Sequence, residues 1–283
     1  MAWRWFRRGP RTPQQAGERR TRRGYVLGDS EQEISRLDMQ HYMFRWEFGG
    51  DYLAPVQPRA ILDVACGTGR WAIDMARQFP RAAVAAFDNN PDLIARALSD
   101  PELPGNCTFV VADALKPFEF ADGSFDLVMA RANSSYLAIP QWPGMVAEMA
   151  RVTAPGGWVE LRDFGLAQSE SPALMSLTER FAQMVARRPM YPGAGPHLAD
   201  LLRAAGLRDI RARSVVVRMG RRPTRGGRLM VTDYLSMLDR LTPLMAQLGL
   251  ATQPQWEGWL AQARQETATA TTRVHLTAAY GRR

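Results

Sequence analysis

Three short apolar runs in the first half of the chain each lead to an aspartate. Residues 60–64 carry Asp63, residues 83–87 stop at Asp88, and residues 108–111 run up to Asp113. Helical patterns separate them. One covers 71–79, with Trp71, Met75 and Phe79 on one side, and the next opens with Pro91, which a first helical turn tolerates. Further apolar runs lie at 125–130 and 158–162, with a helical pattern over 143–152 between them and Pro155-Gly156-Gly157 as a turn. Strands alternating with helices of this length imply right-handed βαβ units and a parallel sheet. Residues 210–219 and 272–280 add two later strands. The reading is an α/β fold with a doubly wound, mostly parallel sheet of seven strands.

Ligands of such sheets bind beyond the carboxyl ends of the strands, where strand order reverses. Asp63, Asp88 and Asp113 all sit at such ends. The loop after the first run is Ala65-Cys66-Gly67-Thr68-Gly69, and with Ala72 it satisfies the GxGxxA pattern of dinucleotide sites. Asp63 argues against a dinucleotide. A pyrophosphate would rest on this turn, and a carboxylate about 4 Å away costs about 4 kcal/mol per unit charge at an effective dielectric near 20. A phosphate-free ligand carrying an ammonium and a sulfonium, S-adenosylmethionine, suits the loop better. Asp88 can accept both vicinal ribose hydroxyls, a feature shared with NAD enzymes. Asn89 is placed to meet the adenine edge, and Asp113-Ala114 to bind the adenine amino group. The alternative for Asp113 is a turn cap.

Residues 61–69, Ile-Leu-Asp-Val-Ala-Cys-Gly-Thr-Gly, resemble the first motif of class I S-adenosylmethionine-dependent methyltransferases. Phe125-Asp126-Leu127-Val128 and Pro155-Gly156-Gly157-Trp158 resemble that family's later motifs. Ala65 stands where the family usually has its first loop glycine. The segments 25–29, 33–41, 52–55 and 69–74, and the helical pattern near 259–266, are similar to the fungal LaeA-type subgroup. The resemblance covers about residues 24–283. It implies a Rossmann-like methyltransferase fold with an N-terminal helical segment and a helical lid insertion. It also implies that Tyr25 and Arg36 approach the cofactor from above, near its carboxylate; Arg131, where the chain leaves the fourth strand, is a further cofactor-binding candidate. Arg36 is a suitable bidentate partner for that carboxylate.

Within this frame residues 1–23 are a disordered basic arm and 24–283 the methyltransferase domain. The domain divides into a leading helix (24–55), a cofactor-binding core (56–164), substrate-side helices and strand (165–227), a helical lid insertion (228–270) and a closing strand (271–283). The net charge of +8 belongs to the arm, whose eight arginines and Glu18 carry +7. The remainder is nearly neutral, so nucleic acid is not an expected partner. Two cysteines, Cys66 and Cys107, exclude a disulfide framework and fit a cytoplasmic protein. Three histidines with no CxxC pair argue for no metal. No apolar run approaches a membrane span.

Catalytic candidates are Tyr136, which could orient or deprotonate a substrate hydroxyl, Asp163 at the end of the fifth strand, and His41 on the apolar face of the leading helix. Each has a plainer alternative as packing, cap or core residue. Met175, Met184, Met190, Met230, Met237 and Met245 recur in the later helices, and adaptable methionines suit either a core or a lid over a hydrophobic substrate. The expected function is methyl transfer by in-line displacement to a small hydrophobic metabolite. A homodimer is compatible with this reading. The alternatives are a LaeA-like regulatory protein acting through partners and an NAD-dependent oxidoreductase.

Overall fold

The computed structural model describes residues 31–283; the basic arm and Tyr25 lie outside them. The first helix, α1 (Glu31–Phe48), ends before Gly49, whose φ of 73° stops it. β1 (Ala60–Val64), β2 (Ala83–Asp88) and β3 (Cys107–Val111) follow, linked by α2 (Arg70–Gln78) and α3 (Pro91–Leu98). α2 buries Trp71 and Met75 of the face its spacing announces, together with Ala72, Ile73 and Ala76, while Phe79 falls just past its end and is half-buried. α3 starts at Pro91, with the Asn90 side chain accepting the Asp92 amide. β4 (Phe125–Arg131), α4 (Trp142–Val152) and β5 (Thr153–Phe164) complete the parallel set.

The sheet runs β3-β2-β1-β4-β5-β8, where β8 is Thr272–Arg282 and lies antiparallel to β5. β7 (Arg208–Arg218) pairs antiparallel with β8. The order reverses at β1, which is flanked by β2 and β4, so the ligand crevice opens above their carboxyl ends. The apolar strands build two cores, one on each face of the sheet. An ion pair inside the protein ties the leading segment to the sheet. Arg162 Nε donates to Glu160 Oε1 at 2.8 Å, Glu160 Oε2 accepts the Leu53 and Ala54 amides, and Arg162 donates to the Gly50 carbonyl. Arg162 Nη2 has no hydrogen-bond partner, and the guanidinium lies over the Phe48 ring at 4.9 Å, so the buried pair rests on these backbone bonds and a cation–π contact.

Three expectations change in detail. The sheet has an eighth strand, β6 (Gln168–Ser169), which continues the line of β5 along β8 and is too short to leave a periodic pattern. Pro155-Gly156-Gly157 lies within β5, and the register between β4 and β5 slips between Phe125 and Leu127, so the turn signal is absorbed as an irregularity. The late insertion, whose residues 229–265 carry two helical patterns in the sequence, holds three helices: α7 (Arg225–Arg240), α8 (Thr242–Gln247) and α9 (Gln253–Glu266), because Pro243 restarts the helix. They pack with α5 (Pro172–Ala186) around Leu177, Leu238, Met245, Trp256 and Leu260 as a separate apolar cluster. Met184, Met190 and Met245 are buried in it, while Met230 belongs to the cluster formed with α1. α6 (Leu198–Ala204) covers the opposite side of β8.

Candidate functional site

The loop between β1 and α2 is built on left-handed residues. Ala65, Gly67 and Gly69 have φ of 55°, 58° and 73°. At Gly69 a Cβ would meet Phe109 at 2.4 Å, so only glycine fits there. Ala65 holds the same conformation despite its Cβ, a strain of about 1–2 kcal/mol stored beside the crevice. The helix α1 lies over this loop. Leu37 approaches the place a Gly67 Cβ would occupy, at 3.7 Å, and Thr68 Oγ1 donates to Asp38 at 2.6 Å.

Beneath α1 is a cavity of about 60 Å³ lined by Gln40, His41, Asp63, Ala65, Gly67 and Arg131, among others. Asp63 is its most telling residue. It is 1% exposed, and its Oδ2 has no hydrogen-bond partner. Burial pushes its carboxyl up to about 7, against the pull of the Arg131 guanidinium and with a further push from Asp88. Arg131, at the end of β4, has its own charge disfavoured by burial and donates to His41 Nδ1 at 3.1 Å. An arginine only donates, so Nδ1 is the acceptor and the proton sits on Nε2, which faces Asp74 Oδ2 at 3.0 Å. His41 is therefore neutral. Burial pulls its pKa down to about 4 despite the Asp74 hydrogen bond, and Arg131 lowers it further.

At the end of β2, Asp88 Oδ2 accepts the Gly67 amide at 2.9 Å, and its Oδ1 accepts the Asn90 amide at 2.9 Å. This fixes the carboxylate against the glycine loop. Asn89 is exposed, Asp113 is half-buried and accepts the Leu115 amide, and Ala114 is buried. Asp113 thus makes the turn contact that was its plainer reading.

The three catalytic candidates are all engaged. His41 has both ring nitrogens bonded, which corrects the reading of it as a base: its neutral ring joins Arg131 to Asp74. Asp163 is buried and accepts the Ser134 amide and hydroxyl and the Phe164 amide, so it fastens the turn after β4 to the end of β5. Burial raises its pKa to about 6 while these bonds oppose the rise. Tyr136 donates to Asn133 Oδ1 at 3.2 Å, and burial with the fields of Asp88, Asp163, Asp113 and Asp63 drives its hydroxyl further from ionisation. It is placed to donate rather than to act as a base. Arg36 turns toward α7, where its guanidinium lies 3.5 Å from Asp233, and it does not line the cavity. Tyr25 lies outside the described residues.

Asp74 and Asp51 were not singled out as site residues from sequence. With His41 they place three potential ligand atoms within 4.8 Å of one another. Arg45 reaches Asp74 at 2.8 Å and Asp51 at 3.7 Å, and Arg131 holds the histidine in the tautomer that points a proton at Asp74. The contact of His41 with Asp74 joins α1 to α2 across 33 residues, and no local pattern marks it.

Residues 61–157 match the methyltransferase-domain family. Methyltransferase str3 of Strobilurus tenacellus is 40% identical over 142 residues, covering 49% of this chain and 48% of that protein. The secondary metabolism regulator laeA of Aspergillus niger is 35% identical over 144 residues, covering 49% and 36%. The chain matches about half the length or less of these curated relatives. Among solved structures, Haemonchus contortus phosphoethanolamine N-methyltransferase 2, in complex with phosphomonomethylethanolamine and S-adenosylhomocysteine, aligns with a TM-score of 0.50 at 19% identity, over 86% of this chain and 57% of that one. An O-methyltransferase family protein from Burkholderia thailandensis also aligns at 0.50, with 20% identity over 69% and 62%. The strand order, the loop after β1 and the solved structures agree on a Rossmann-like methyltransferase fold, within which residues 61–157 are similar to the methyltransferase-domain family.

Proposed function

We propose that the protein binds S-adenosylmethionine in the crevice above β1, β2 and β4 and transfers its methyl group to a small, hydrophobic, metabolite-like acceptor. The observation that carries this reading is Asp63: a buried carboxylate with an orphan oxygen, facing the glycine loop. That environment repels a pyrophosphate and favours an ammonium. The same observation removes the support for a nicotinamide oxidoreductase. When bound, S-adenosylmethionine supplies an activated methyl carbon for in-line displacement.

The chain's own residues then do four things. Asp63 gains a cationic partner and loses its proton. Asp88, held by two backbone amides, offers its remaining lone pairs to ribose hydroxyls. The Asp74–His41–Arg131 chain keeps a guanidinium fixed on the cavity wall. Asp163 and Tyr136 set the shape of the turn after β4, from which an acceptor would be aligned, and alignment with desolvation is where such a reaction gains most, about 7–11 kcal/mol.

Calorimetric titration tests the reading. S-adenosylhomocysteine should bind and NAD should not. Asp88→Ala should weaken the former by at least about tenfold, in keeping with about 1.5–3 kcal/mol for hydrogen bonds to a charged group. Binding of NAD in preference would overturn the assignment. A second reading, a regulator acting through partners, draws on the relatives named as regulators of secondary metabolism. The two separate on deletion of residues 1–23, which leaves the turnover of a small-molecule enzyme intact.

A further inference from the structure

Charge in the folded part of the chain is unevenly spread. Residues 208–228 hold eight arginines against the single acid Asp209, a net +7. With the first 23 residues also at +7, the rest of the chain carries −6. All eight arginines are exposed. Half of them lie on β7, which among the described residues pairs only with β8. Up to the Arg218 carbonyl, which accepts the Thr224 amide at 3.0 Å, alternate residues of this strand turn unpaired backbone donors and acceptors outward.

The register makes this charge costly. Arg218 lies opposite Arg273 and Arg208 opposite Arg282, two like-charge cross-strand pairs, an arrangement that weakens a ladder. No described carboxylate lies within ion-pair distance of Arg208, Arg211, Arg213 or Arg218. Arg218 donates to the Arg222 carbonyl, Arg273 to the Gln168 side chain, and Asp209 reaches Arg282 at 4.0 Å. A charge or two is enough to keep an edge strand from pairing wrongly. Two opposed pairs on one edge exceed that need and are relieved by an anionic partner. Val216, 44% exposed, shares the face of Arg218 and offers apolar contact to a side chain there.

We propose that the outer edge of β7 accepts an acidic, extended peptide segment of a partner protein as an added strand. The ladder supplies backbone hydrogen bonds, and acidic side chains at alternate positions meet Arg208, Arg211 and Arg213, which the register places on one face. A second copy pairing through the same edge would set arginine against arginine. A nucleic acid or an anionic membrane would read the charge but leave the edge groups of the strand unused.

The probe is a fluorescein-labelled peptide of about ten residues, alternating Glu and Thr, titrated by anisotropy against the full chain. A second peptide of the same sequence is N-methylated at alternate residues, which keeps its charge and removes ladder donors. The first should bind at least about tenfold more tightly than the second. The Arg208→Glu/Arg211→Glu variant, checked for an unchanged unfolding midpoint, should bind the first at least about tenfold more weakly. The arginines of the first 23 residues are common to every arm and cancel. Equal affinity for the two peptides, equal affinity of variant and parent, or a single-stranded oligonucleotide or phosphatidylserine vesicle that outcompetes the peptide at the same arginines would each overturn the proposal.

Discussion

Asp63 and His41 line one cavity and titrate in opposite senses. Burial raises Asp63 to about 7, above its ordinary 3.8, so the native protein keeps a proton that the unfolded chain releases as pH rises from about 4 to 7. Stability is lost along that rise, by up to about 4 kcal/mol. His41 does the reverse. Its pKa falls from 6.5 to about 4, so below pH 6.5 the unfolded chain takes up a proton that the native state refuses. Stability is lost as pH falls, by up to about 3 kcal/mol. In the wild type the two slopes oppose each other. Asp63→Asn removes the first and exposes the second. Urea unfolding between pH 4.5 and 7.5 should therefore show the variant losing stability on acidification more steeply than the parent. Parallel curves would mean that Asp63 is ionised in the native state throughout.

The elements divide by how local their determinants are. β1 to β4 and helices α2 to α4 could be read from apolar period, Pro91, and the glycines around 67–69, because each signal lies within the element it shapes. The restart at Pro243 and the two-residue β6 were not legible. One hides inside a continuous helical pattern, and the other exists only because β8 runs beside it. The site divides the same way. Asp63 and Asp88 stand at strand ends that sequence locates, whereas Arg36 finds Asp233 across 197 residues and His41 finds Asp74 through tertiary packing. The layer of α5 and α7 to α9 has its own core. Within it the Trp256 indole is wholly buried and donates to the Leu238 carbonyl at 3.0 Å, pinning α9 to α7. Trp256→Ala removes about 3–5 kcal/mol of packing from this layer. Limited proteolysis should then cut within 225–266 while affinity for S-adenosylhomocysteine stays within about threefold of the parent, about 0.7 kcal/mol. A loss of affinity as large as that for Asp88→Ala would show that the layer builds the cofactor crevice itself.

At the scale of the molecule, α1 and α7 form a clamp across the crevice. Met43, Phe44 and Phe48 of α1 pack with Met230 of α7 and with Val217, Val274 and Leu276 of β7 and β8. Two polar ties cross the same contact: Arg36 and Gln40 reach Asp233, and Glu47 accepts the Thr224 hydroxyl and Gly226 amide at the start of α7. The cavity under α1, about 60 Å³, has the share of liquid volume of about two water molecules, far short of an adenosyl amino acid. Ligand entry under α1 therefore demands that the clamp open and close again around what it admits. Opening must break the Thr68–Asp38 hydrogen bond and the Leu37 packing on the loop, the ties of His41 to Asp74 and Arg131, and the packing of Phe44 and Phe48 against β7 and β8. Closing over a ligand restores these and adds the ligand's own. Hydrogen exchange with and without saturating S-adenosylhomocysteine should show the largest gain in protection at the amides of α1 and of the first half of α7. α6, on the far side of β8, should be unchanged. A gain confined to β1 and α2, with α1 as open to exchange as before, would mean that the ligand enters elsewhere and that α1 is a fixed wall rather than a gate.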